Sequence, residues 1–267
     1  MTQAVLLLAA LGALGQPDTS PNSSAELLSE STTIVPGQPF WVGFKIKLDP
    51  HWHTYWKNPG DSGIAPDIQF TLGSTKLPAK LEYPCPTALL ADGMTIYGYE
   101  NEVTFLARLT PPKNLPVGKP VRLTAKGQWL ICKETCLNAT ETKSLMLDVG
   151  KAAKPGPVKA QLMYSVGQIP KVQPGWSFSA MFTAKGYDLL ARGPGATDVS
   201  KGQFFADMDQ VIDHSAKQIW NAGKLFLPKS PYSQKVPTRL TGLFVAPPGV
   251  SWAPNVQGVV VNIPVQK

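Results

Sequence analysis

A chain of 267 residues has room for two domains of ordinary size, and a hydrophobic fraction of 43% lets each bury a core. Its net charge of +7 comes from scattered Lys and Arg with no run of five and no basic stripe interleaved with aromatics, which argues against a nucleic-acid partner. Charged residues reach only 16%, while 26 Pro and 23 Gly oppose long helices and suit short strands joined by turns.

The amino terminus reads as an export signal. Ala4 to Leu11 is an apolar core of signal-peptide length, and Ala13-Leu14-Gly15 is a small-x-small cleavage site. Residues 1–15 are therefore expected to be a signal peptide, with only the α-amino group as its positive charge. No stretch reaches 18 apolar residues, so the mature chain is expected to have no transmembrane segment of its own. Export implies a compartment that permits disulfides, the periplasm or its equivalent. Residues 16–31, rich in Ser, Thr, Asn, Pro and Glu, are expected to form a flexible lead-in.

A β pattern starts at Thr32. Phe40 to Leu48 alternates apolar and polar residues in its second half, the period-two signature of a strand. Further strands are expected at Ile68–Leu72, Leu77–Tyr83, Val103–Leu109, Val121–Ala125, Gly127–Ile131 and Thr140–Val149, separated by Gly, Pro and Asn punctuation. Cys85, between two prolines, reads as a buried small apolar residue and a free thiol. Residues 32–150 thus form a first β-sandwich. Residues 151–175 shift in composition and are expected to be a linker, in which Val158 to Val166 can form a short helix behind Pro157. Residues 176–267 alternate again and are expected to form a second β-sandwich. Its candidate strands are Trp176–Phe182, Gly202–Phe205, Lys224–Leu227, Leu240–Ala246 and Val259–Val265. The fold class is all-β, with two sandwich domains in tandem.

Chemistry concentrates in Trp129-Leu130-Ile131-Cys132-Lys133-Glu134-Thr135-Cys136. A disulfide needs its Cα atoms roughly 4.4–6.8 Å apart. Four residues of extended strand span about 13 Å. A bridge between Cys132 and Cys136 therefore requires a turn at Lys133-Glu134-Thr135, and strand-like flanks place that turn at a hairpin tip. A loop this short yields only about 2 kcal/mol of chain-entropy stabilisation. Three readings stay open from spacing alone: a stabilising disulfide, a redox pair, and a metal site built from Cys132, Cys136 and His53, with copper the thiophilic candidate and Met94 an added thioether.

The segment from His51 to Gly63 gathers His51, Trp52, His53, Tyr55 and Trp56 ahead of a turn-rich tail. It reads either as the edge of a core or as one wall of a site, with His53 and Tyr55 as the wall residues. No G-x-S-x-G, H-E-x-x-H, phosphate-binding loop or dinucleotide fingerprint occurs, and no cofactor is implied. A Cys132–His53 protease is disfavoured because Cys136 would oxidise its nucleophile.

Three blocks resemble the amino-terminal periplasmic domain of the thiol:disulfide interchange reductase DsbD, and especially the suppressor-of-copper-sensitivity B group. They are Trp52 to Gly63, Ile96-Tyr97-Gly98-Tyr99-Glu100 with the strand Val103–Leu109, and Cys132 to Cys136 with Glu141-Thr142-Lys143. The resemblance covers about residues 32–149 and continues more weakly into the second half. It implies an immunoglobulin-like sandwich with a redox pair, Cys132 and Cys136, on a hairpin. A cap loop at Thr95-Ile96-Tyr97-Gly98 is implied over that pair, with Ile96 where the family often has a larger aromatic. It also implies electron transfer from a membrane-embedded thiol reductase to periplasmic thioredoxin-like oxidoreductases, with Cys136 as the partner-facing sulfur. Because the membrane and thioredoxin-like parts are not found in these residues, the donor is expected to be another polypeptide. The alternatives are a copper-binding or copper-tolerance module using the same thiols, and an interaction module with a structural disulfide.

Overall fold

The computed structural model describes residues 20–91, 93–195 and 197–267. The expected signal peptide at residues 1–15 lies outside them. The first domain contains β1 (Ser23–Ser29), β2 (Ser31–Ile34), β3 (Phe40–Leu48), β4 (His53–Gly60), β5 (Asp67–Leu72), β6 (Thr75–Leu77), β7 (Leu81–Glu82), β8 (Thr87–Ala91), β9 (Met94–Glu100), β10 (Glu102–Leu109), β11 (Val121–Cys132) and β12 (Cys136–Val149). A connector adds β13 (Lys154–Pro155) and α1 (Lys159–Gly167). The second domain has β14 (Ser177–Thr183), β15 (Gly186–Arg192), β16 (Gln203–Ala206), β17 (Ile219–Asn221), β18 (Lys224–Pro228), β19 (Arg239–Val245) and β20 (Gly258–Gln266).

Two sheets face each other in the first domain. One runs β1-β3-β10-β7; the other runs β13-β2-β12-β11-β4-β9-β8, with β5 also paired to β11 and β6 to β5. Strand alternation fills the space between them. Along β11, Leu123, Ala125, Trp129 and Ile131 are buried while Arg122, Lys126 and Gln128 are exposed. Phe44 of β3 meets Trp129 edge-on, with ring centroids 5.8 Å apart. The resulting architecture is an all-β sandwich followed by a second one, as the turn-punctuated alternation implies.

Residues 16–19 lie outside the described residues, and the flexible lead-in expected at residues 16–31 is corrected for residues 20–31. Within them Ser23–Ser29 is an edge strand, paired antiparallel with β3 from Ser23↔Leu48 to Ser29↔Val42. Its polar composition belongs to a strand with one wet face: Ser24 and Glu26 are exposed, whereas Leu27 and Leu28 are buried. The strand expected at Leu77–Tyr83 is two short ones, β6 and β7, with Pro78 between them, a residue that cannot donate to a ladder.

The connector packs onto the first domain through its helix. Helix α1 forms one residue later than expected and buries Leu162 against Leu28 and Leu106, with Trp41 packed alongside. In the second domain the strand path β16-β19-β20-β14-β15-β18-β17 wraps a core of Tyr187, Leu189, Phe204, Leu240, Phe244 and Val261. Strand β20 is the pivot, antiparallel to β19 over most of its length and parallel to β14 at its end.

The two domains also share a core. Phe205, Leu243 and Val245 of the second domain are buried in the same apolar cluster as Phe44, Trp56 and Tyr97 of the first. Phe205→Ala should therefore cost about 3–5 kcal/mol in urea unfolding, with both domains destabilised together. A loss below about 1 kcal/mol would contradict a shared core.

Candidate functional site

Strands β11 and β12 pair without a break from Val121↔Leu147 to Cys132↔Cys136. The chain turns at Lys133-Glu134-Thr135, where the Lys133 N–H donates to the Thr135 carbonyl at 3.2 Å. Cys132 and Cys136 are joined by a disulfide with Cα atoms 4.2 Å apart. The two sulfur-bearing residues are unequal: Cys132 is 4% exposed, whereas Cys136 lies among the exposed residues of the tip.

Strand β4 supplies the wall. His53 stands opposite Cys132 in the register, and the Thr54 hydroxyl donates to the Leu130 carbonyl at 2.9 Å, pinning β4 to β11. The Tyr55 hydroxyl donates to Cys132 Sγ at 2.8 Å and lies 3.9 Å from Cys136 Sγ. Tyr55 is buried, and burial pushes its phenol up to about 12, so it is a protonated donor throughout the physiological range. Gly63 closes the far side of the ring. Its φ is +123°, and a Cβ there would come within 2.1 Å of Tyr55 Cε1, so only glycine fits. His53 meets Tyr55 edge-on at 5.4 Å. Burial lowers the His53 pKa, with Glu100 opposing, so the ring is neutral at neutral pH. Its Nε2 is buried and has no hydrogen-bond partner among the described residues.

The segment Thr95–Gly98, expected as a cap loop, is strand. It lies in β9, which pairs with β8 from Thr87↔Gly98 to Ala91↔Met94. Alternation along β9 therefore sends its two apolar residues in opposite directions. Ile96 is buried in one cluster with Tyr55 and Cys132, joined by Leu89 and Leu130. Tyr97 instead lies 4.7 Å from Phe205 and 5.0 Å from His214 between ring centroids, in the shared core. Thus Cys132, Cys136, His53, Tyr55 and Ile96 come together, and Tyr97 does not join them. Met94 starts β9 and is 39% exposed. With the disulfide closed, Cys132, Cys136 and His53 do not form a metal-holding group, and none of three or more His, Cys, Asp or Glu occurs among the described residues.

A feature that local patterns do not reveal is the bulge of β4. Register runs Tyr55↔Gly98 and then jumps to Gly60↔Ile96, so Trp56 to Pro59 loop out from the ladder. They face the second domain. The Asn58 side-chain amide donates to the Ala206 carbonyl at 2.9 Å, Trp56 meets Phe205 edge-on at 6.3 Å, and Lys57 pairs with Asp207. The aromatic crowding of this block was the visible signal; its interdomain role was not. Cys85 is the free thiol expected, buried so that a Cβ on Gly258 would come within 2.4 Å of its sulfur. Burial pushes that thiol up to about 12.

Residues 24–148 match the model of a family described as thiol:disulfide interchange protein DsbD, N-terminal. The first domain belongs to the DsbD amino-terminal family. The N-terminal periplasmic domain of ScsB from Proteus mirabilis aligns over 93% of this chain and 95% of its own, at 16% identity and a TM-score of 0.67. The shared fold therefore extends beyond the DsbD amino-terminal domain into the second sandwich. Two others, AvmM of alchivemycin A biosynthesis and the sporulation control protein Spo0M from Bacillus subtilis, have TM-scores of 0.28. AvmM is 13% identical over 50% of this chain and 91% of its own, Spo0M 9% identical over 92% and 91%. No curated protein matches the chain.

The unequal burial of the DsbD-type pair has a direct consequence. In the reduced protein, limiting iodoacetamide at pH 8 should label Cys136 at least about tenfold faster than Cys132, and Cys85 only after denaturation. Equal labelling of Cys132 and Cys136, or native labelling of Cys85, would contradict the geometry.

Proposed function

We propose that this chain is an exported thiol:disulfide exchange protein that passes electrons from a membrane-embedded thiol reductase to periplasmic thioredoxin-like oxidoreductases through Cys132 and Cys136. The observation that carries the reading is the asymmetry of the pair. An exposed sulfur, Cys136, is bonded to a buried one, Cys132, that already accepts a hydrogen bond from a protonated phenol. Membership of the first domain in the DsbD amino-terminal family supports exchange chemistry. The likeness to a Proteus mirabilis domain described as periplasmic supports the compartment. No helix among the described residues is long and apolar enough to cross a membrane.

The exchange balances as follows. A donor thiolate attacks Cys136 Sγ, forming a mixed disulfide and breaking the Cys132–Cys136 bond, whose electron pair leaves on Cys132. The Tyr55 O–H stabilises that thiolate by a charge-assisted hydrogen bond. The donor's second thiolate then attacks its own sulfur in the mixed disulfide and releases Cys136 as a thiolate, leaving the donor oxidised and this protein reduced. Delivery runs the same steps in reverse. Cys136 attacks the client's disulfide, and Cys132 resolves the mixed species by attacking Cys136 Sγ. Neutral His53 adds no positive charge beside the sulfurs, so the Tyr55 hydroxyl is the nearest stabilising donor.

Two variants test this reading. Cys132→Ser should accumulate a stable mixed disulfide through Cys136 with an oxidised thioredoxin-like protein, because no resolving thiol remains. Cys136→Ser should accumulate none. Tyr55→Phe should slow reduction of the pair by a dithiol partner roughly ten- to a hundredfold, the value of a hydrogen bond to a charged group. Failure of Cys132→Ser to trap any partner would count against exchange; equal trapping by the two variants would remove the assigned roles.

A further inference from the structure

We infer that Asp61 is a positioning residue for the disulfide, tying the strand that covers Cys132 to the second domain and so keeping Cys136 the reachable sulfur. This rests on the exchange reading above and assigns the second domain a part in it.

Asp61 follows β4 directly and grips β9 twice. Its N–H donates to the Thr95 carbonyl at 3.0 Å, and its Oδ2 accepts the Thr95 N–H at 2.8 Å. Thr95 is next to Ile96, the residue clustered with Tyr55 and Cys132. The same carboxylate also reaches across the domain boundary. The Ser215 hydroxyl donates to Oδ2, and His214 Nδ1 lies 3.4 Å from Oδ1. The loop that presents them is itself shaped by Asp213, whose Oδ1 accepts the N–H groups of Ser215 and Ala216 at 3.1 Å each.

Strand β9 needs such a tie. On one side it pairs only with the short β8; on the other its pairing to β4 is interrupted by the bulge between Tyr55 and Gly60. A two-stranded hairpin of this length holds poorly by itself. What fixes it is coverage of both faces: Ile96 on the sulfur side, and Tyr97 against Phe205 and His214 on the other. Ile96 cannot lift from Cys132 unless Tyr97 leaves the second domain and Asp61 releases Thr95. Asp61 also leads into Ser62-Gly63, the backbone that lies on the Tyr55 ring, so one anchored residue borders both sides of the ring that hydrogen-bonds Cys132.

Limiting alkylation of the reduced full chain, read by mass at each cysteine, tests the inference. Asp61→Ala should raise the Cys132:Cys136 labelling ratio by about tenfold or more, as a local opening does for a covered group. Ser215→Ala should move it in the same direction by less, and provides the reading if Asp61→Ala does not fold. Asp61→Asn keeps an oxygen for the Thr95 N–H and should restore a ratio close to wild type. Cys85, buried elsewhere at the domain boundary, should stay unlabelled in all three. An unchanged ratio in folded Asp61→Ala, or in Ser215→Ala where Asp61→Ala does not fold, would overturn the inference. So would Cys85 labelling that rises in step with Cys132, because that is general loosening of the interface. Failure of the exchange reading would show separately, as an absence of mixed disulfides in Cys132→Ser with Asp61 intact, while the labelling ratio of the full chain still responds to Asp61→Ala.

Discussion

Everything at this site depends on the unbroken antiparallel register of β11 and β12. Twelve pairs in succession, ending at Cys132↔Cys136, bring two cysteines four residues apart to a Cα separation of 4.2 Å. The ladder already holds the hairpin closed, so the bridge adds little: a loop this short contributes only about 2 kcal/mol in the chain-entropy model. A covalent bond with so small a structural return is well suited to being opened. The same register makes the two sulfurs unequal, because it ends with Cys132 paired to β4 and Cys136 past that pairing, exposed at the tip. Tyr55 can then address the buried sulfur with its hydroxyl while the exposed one meets the solvent.

A second constraint follows from the bulge in β4. By looping out Trp56 to Pro59, the strand gives the second domain a surface made of an indole, a lysine and an asparagine, and keeps His53 and Tyr55 on the disulfide. One strand thus serves two interfaces. Strand β9 repeats the arrangement with Ile96 and Tyr97. The second sandwich therefore stands in mechanical contact with the sulfur site, and Phe205 fills space that the first domain leaves open.

The hairpin tip was legible because a bridge across a spacing of four requires a turn, and β3 was legible because its second half alternates apolar and polar residues. Strand β1 was not, since an edge strand with one wet face has the same Ser and Glu content as a disordered leader. The segment Thr95–Gly98 of β9 was expected as a loop because the family resemblance implies a cap there, and the residues themselves carry no clear alternation. Gly98 in fact sits in the ladder opposite Tyr55, where a Cβ would come within 2.1 Å of the Thr54 carbonyl oxygen. Asp61, His214 and Ser215 carry no local pattern at all. They are brought together by the docking of two domains, which no window of the sequence contains.

The reduction potential of the Cys132–Cys136 couple at pH 7, measured against a glutathione redox buffer, bears most directly on whether this is an exchange pair. An exchange pair should lie roughly between −180 and −270 mV, within reach of thioredoxin-like partners. A potential below about −300 mV, where structural disulfides of secreted proteins lie, would contradict it.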